Sequence, residues 1–70
     1  MKNKIYVDSV GRIYKVKQDK DIWIIVYHEK MTGGWIWDKS FGLFVDLVSA
    51  QMALERRATR GKWKVEDDDE

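Results

Sequence analysis

At 70 residues the chain has room for one domain, and it is 44% hydrophobic, 36% charged and 13% aromatic with neither proline nor cysteine. This composition excludes a disordered polar chain, a disulfide-stapled scaffold and cysteine-ligated zinc. No apolar run is long enough to span a bilayer and no signal-peptide pattern is visible, so a soluble cytoplasmic protein with no membrane partner is expected.

The formal net charge of +1 conceals a division. Glu66, Asp67, Asp68, Asp69 and Glu70 carry 5 of the 12 acids, which leaves residues 1–65 with 13 bases and 7 acids, a net of +6. The expected organisation is one folded domain over 1–65 and an acidic, unfolded tail over 66–70. Like charges in a row repel one another and bury nothing. The tail either adds solubility or folds back on the basic body and competes with an anionic partner.

In chain order, Lys4 to Val7 reads as a first strand, closed by the turn formers Asp8, Ser9 and Gly11. Arg12 to Lys17 alternates, with Tyr14 and Val16 on one face and Lys15 and Lys17 on the other. Gln18 to Asp21 is a polar break of hairpin length. Ile22 to Glu29, nearly all β-branched or aromatic, is the strongest strand signal and is expected at the sheet centre. Gly33 and Gly34 supply a hairpin turn, and Trp35 to Lys39 returns with both tryptophans on one face. Phe41 to Phe44 reads as a connector or a strand extension.

A helix follows. Asp46 is the expected N-cap, with Ser49 as the competing one. Leu47, Ala50, Leu54 and Ala58 form an apolar stripe at helical spacing. Arg56, Arg57 and Arg60 suit the negative end of the helix dipole, and Gly61 suits a left-handed C-terminal position. Lys62 to Val65 alternates as a last short strand, with Trp63 and Val65 facing inward. The fold class is therefore α+β: an antiparallel meander of three or four strands, one helix on one face and a short C-terminal strand. The expected core is Ile5, Val7, Tyr14, Val16, Trp23, Ile25, Ile36, Leu47, Ala50, Leu54, Ala58 and Trp63.

Residues for catalysis are scarce. His28 is the single histidine, and its neighbour Glu29 projects from the opposite face of the strand, so the two do not form an acid–base pair. Asp19 and Asp21 offer too few oxygens for calcium. Gly33-Gly34 lacks the spacing and the Lys-Ser/Thr of a phosphate loop. No catalytic, metal or cofactor residues are assigned, and the expected protein is a non-enzymatic binding module.

Two surfaces are candidates for binding. Arg56, Arg57, Arg60, Lys62 and Lys64 form a basic patch at the helix end suited to phosphates, so nucleic acid is the favoured partner. The alternative is a protein-interaction adaptor or inhibitor that uses Trp35 and Trp37 on the uncovered sheet face or the outward-facing Val48 and Met52. The last two would also fit a homodimer contact. Nine aromatic rings exceed what so thin a core needs, and rings on an open face would also serve to stack bases. The pattern Phe44-x-x-Leu47-x-x-Ala50-x-x-x-Leu54-x-x-x-Ala58-x-x-Gly61-x-Trp63 after a meander resembles many small bacterial and phage domains, among them the three-stranded DNA-binding arms of recombinases. The pattern is a general packing solution and implies no site residue.

Overall fold

The computed structural model describes residues 3–68 and forms one antiparallel sheet crossed by one helix. The strands are β1 (Asn3–Val7), β2 (Ile13–Asp19), β3 (Ile22–His28), β4 (Trp35–Trp37) and β5 (Lys64–Asp68), in the order β4-β3-β2-β1-β5. A single 3-10 turn, Lys39–Phe41, and the helix α1, Leu47–Gly61, lie between β4 and β5. The α+β class, the four-stranded meander and the closing strand, five strands in all, agree with expectation, but β2, not β3, is central. The last strand pairs with the first, which pushes β3 one place towards the edge.

β5 also starts and ends later than the alternation of Lys62 to Val65 suggests. It takes in Glu66, Asp67 and Asp68, opposite Ile5, Lys4 and Asn3 of β1. The boundary at residue 66 is thereby corrected: backbone pairing to β1 holds three of the acidic residues in the sheet. Asp69 and Glu70 lie outside the described residues. Along this edge the charges of Lys64 and Glu66 discourage pairing with another chain.

The hairpin turns follow local chemistry. Asp19 pairs with Ile22, leaving Lys20 and Asp21 as a two-residue loop in which Lys20 takes a left-handed φ of 57°. In the next turn Gly33 supplies the positive φ, 74°, that a side chain would resist.

Register decides which residues reach the core. Tyr6 pairs with Tyr14, Tyr14 with Tyr27 and Val16 with Ile25, so these side chains share the helix-covered face. There Tyr6, Tyr14, Ile25, Leu54 and Ala58 form the buried cluster, with Val16, Tyr27, Phe41, Phe44, Ala53 and Trp63 packed around it. Ile5 and Val7, expected inside, fall on the opposite face and are only half-buried. Their strand is apolar on both sides, so its phase is set by pairing to β2. Ile36 and Val65 share the covered face but lie towards its two edges, 39% and 52% exposed, beyond the helix's reach. Val16, Trp23, Leu47 and Trp63 are half-buried rather than central.

α1 is capped at both ends, and the caps sit where the loops need them. The Asp46 carboxylate accepts the backbone N–H of Ser49 at 2.7 Å, so Ser49 is the third residue of the first turn and not a rival cap. These bonds to Ser49 hold the Asp46 carboxyl below its ordinary pKa. At the other end the left-handed residue is Lys62 (φ 57°), not Gly61. The Trp63 amide donates to Ala58 O at 2.8 Å and the Lys62 amide to Thr59 O at 3.3 Å, the paired bonds of a Schellman ending. Gly61 closes the helix for a different reason. A Cβ there would collide with Trp63 Nε1 and lie 2.7 Å from an Arg57 guanidinium nitrogen. Glycine leaves the room in which that ring and that arginine meet.

Candidate anion-binding cleft at the helix end

After β4 the chain stays beside β3, but it bulges. Asp38 N donates to Ile25 O at 2.9 Å, the 3-10 turn follows, and Phe44 then exchanges two backbone bonds with Trp23 at 2.8 and 2.9 Å. The Asp38 carboxylate organises the bulge by accepting from the Ser40 amide and hydroxyl. The turn throws Phe41 onto the covered face, where its ring meets the edge of Tyr14 at 6.4 Å. One wall of a cleft results, and the last turns of α1 supply the other.

This cleft measures about 490 Å³ and has Arg56, Arg57 and Arg60 on the helix side, Asp38, Ser40 and Phe41 on the turn side, and Tyr14 and Trp63 between them. The spacing of the arginines puts all three at the rim, because residues three and four apart neighbour one another on a helix. Asp38, the acid in the lining, already accepts two bonds from Ser40. With three guanidinium groups against one carboxylate, the cleft keeps a net positive charge.

Tyr14 and Trp63 in the floor belong to an aromatic ladder with a guanidinium at each end. Arg12 lies over the Tyr27 ring (4.7 Å), Tyr27 tilts against Tyr14 (5.8 Å) and Tyr14 stacks on Trp63 (4.6 Å). Arg57 then lies over Trp63 at 4.8 Å. The Arg12 guanidinium also donates to the Tyr14 hydroxyl at 3.5 Å, and this bond raises the Arg12 pKa further above its ordinary range. Trp63 is thus sandwiched between Tyr14 and Arg57. Its faces are occupied, so it gives the floor rigidity and offers no free platform to a base.

The expected basic patch divides in space. Arg56, Arg57 and Arg60 come together. Lys62 lines a smaller neighbouring hollow with Lys4, Tyr6 and Glu55, where burial first and Glu55 second raise the Tyr6 pKa. Lys64 goes to the other face of the sheet: Val65 pairs with Tyr6 on the covered face, and adjacent strand residues alternate. Val48 and Met52 are exposed on the outer side of α1, and Met52 lies in a shallow groove with Glu55, Arg56, Thr59 and Arg60.

Trp35 and Trp37 both occupy the open face, as their pairings with His28 and Val26 require. Trp35 is 39% exposed, with Lys15 Nζ over its ring at 4.2 Å and the His28 ring edge-on at 5.2 Å. Trp37 is half-buried beneath Lys39 and donates its Nε1–H to Gly42 O at 3.4 Å. Among the described residues no group of three or more His, Asp or Glu side chains is placed to hold a metal ion, and no helix is long and apolar enough to cross a membrane.

Sequence reasoning found the three arginines but missed Tyr14, Asp38, Ser40 and Phe41, which line the cleft with them. The available signal was Asp38-x-Ser40, a carboxylate and hydroxyl at the spacing of a local turn. Nothing local, however, brings that turn opposite residues 56–60. Compared with known proteins, the chain matches no family model, no curated protein and no solved structure.

Proposed function

We propose that this protein is a small non-enzymatic binding module of the cytoplasm that holds nucleic acid by its phosphates in the arginine-lined cleft. One observation carries the reading: Arg56, Arg57 and Arg60 converge on a single cleft whose one acid is tied to Ser40. Guanidinium groups present paired donors that match phosphate oxygens. Because the Tyr14–Trp63–Arg57 stack is closed, contacts run to the backbone of the nucleic acid and sequence preference is weak.

The acids paired in β5 do not compete for this cleft within their own chain in the folded state. Glu66, Asp67 and Asp68 run along β1 away from the helix end, and Asp68 lies four strand residues, about 13 Å, beyond Lys64. Folding them back would require β5 to come apart.

The test is fluorescence anisotropy of a short labelled oligonucleotide across a salt series. With three phosphates neutralised, affinity falls roughly 20- to 40-fold between 50 and 200 mM salt, less for single strands than for duplex. Arg56→Glu with Arg60→Glu removes most of the affinity and flattens the slope. Salt-independent affinity, or full binding by the double variant, sinks the reading. Truncation after Val65 is a poor substitute because it deletes paired residues of β5.

A further inference from the structure

The open face of the sheet carries a second feature, independent of the arginine cleft and on the other side of the molecule. A hollow of about 370 Å³ crosses four strands there, lined by Ile5 of β1, Ile13 and Lys15 of β2, His28 of β3 and Trp35 of β4. We propose that this hollow is a docking site for a segment of a protein partner that presents an apolar side chain beside a carboxylate.

The floor is aliphatic and its end wall is an indole, the side chain that most often anchors a protein contact. His28, edge-on to Trp35, fixes the orientation of that indole. The rim is cationic. Lys15 reaches across the face to place its ammonium over the Trp35 ring, and His28 also borders an adjoining hollow with Lys30. The acid of that adjoining hollow, Glu29, accepts the Met31 amide at 3.2 Å. An incoming carboxylate draws the Lys15 ammonium off the indole, because a charge-assisted hydrogen bond is stronger than an exposed cation–ring contact. The freed ring then packs on the apolar side chain. Contact and charge are satisfied by one movement of one flexible side chain.

Other occupants fit this face less well. A second copy stacked face to face about the central strand sets Lys15 and Lys17 against their own counterparts. A nucleic acid finds aliphatic Ile5 and Ile13 where a second stacking ring is needed.

Random peptides displayed on phage and selected on the full chain test the proposal. The expected peptides pair Leu, Ile, Phe or Trp with Asp or Glu and shift the Trp35 indole N–H resonance. Their affinity falls about tenfold for Lys15→Glu and for Trp35→Ser, and does not change for Arg56→Glu. Lys15→Met guards against misfolding, since it keeps the aliphatic stem: acidic peptides bind it more weakly while its melting temperature stays that of the parent. The proposal is overturned if no peptide is selected, if the peptides lack acids, or if they map to the helix end. A concentration-dependent shift of the Trp35 resonance without peptide makes a second copy the occupant and overturns it equally.

Discussion

The two faces of this sheet bury aliphatic side chains to nearly the same depth by unequal means. On the covered face Ile25 is fully buried beneath α1, whose Leu54 is fully buried too. On the open face Ile24 and Val26 are 6% and 3% exposed, yet no helix lies over them. Register sets Lys17 beside Ile24, and Lys15 and Trp37 on either side of Val26. Trp37 and Lys15 are both half-buried there, and Lys15 lies across the sheet with its ammonium over the Trp35 ring, so that its stem serves as apolar surface. A helix is a cooperative cover that leaves only with unfolding. A lysine stem costs side-chain entropy to hold in place and can be moved by a competing charge. The first arrangement suits stability and the second suits recognition.

The contrast is broken most directly at Leu54. Leu54→Ala should cost about 3–4 kcal/mol, as much as the roughly 3–5 kcal/mol that a core of this size supplies. Cooperative thermal unfolding followed by circular dichroism should then vanish near room temperature. A loss below about 1 kcal/mol would mean that the helix is not the main cover.

At the C-terminal end of that cover, Gly61→Ala should cost about 1–2 kcal/mol. This holds even though alanine is favoured over glycine by about 1 kcal/mol within a helix. The added methyl must displace the Trp63 ring from its stack, so Trp63 fluorescence should shift with the loss of stability. An unchanged spectrum together with a more stable protein would refute the packing role given to this glycine.

On the open face Val26→Ala should cost about 1.5 kcal/mol, the value of the methyl groups alone, because the side-chain cover can settle into the space. Lys15→Ala should cost about 0.5 kcal/mol and Lys15→Met nothing measurable in urea unfolding. If Lys15→Met proves as costly as Lys15→Ala, the stem is not the covering part.

A further expected effect is at the start of the helix and depends on pH. The Asp46 carboxyl sits below its ordinary pKa because it accepts bonds from Ser49. The unfolded chain therefore takes up that proton first. The capping contribution is complete above about pH 4 and disappears as the pH falls through the folded value. Melting temperatures of the parent and Asp46→Ala should differ at neutral pH and converge in acid. A constant difference would show that the charge has no part in the cap.

Features that act over a few residues were legible in the chain. The apolar run of β3, the stripe from Leu47 to Ala58, the Asp46 cap and the three arginines of the final helical turns all follow from local pattern. They needed no knowledge of distant segments, because propensity, capping and periodicity are settled within one or two turns or a strand's length. Strands that are apolar on both sides were not legible in this way. Only pairing to β2 made Tyr6 a core residue and turned Ile5 outward, and only pairing to β1 drew Glu66 to Asp68 into the sheet.

The cleft and the hollow belong to the same second class. Arg56, Arg57 and Arg60 face Ser40 and Phe41 because a bulge beside β3 carries the turn over the covered face. Lys15 meets Trp35 because β2 and β4 flank the same strand. Each brings together segments far apart in the chain, and sheet register, not local preference, determines which side chains share a face. Sequence alone determined the strand or helix character of the main segments, the N-cap of the helix and the excess of positive charge on the body. Tertiary structure decided which charges converge, which rings are already occupied, and which apolar side chains lie beneath a cover that can move.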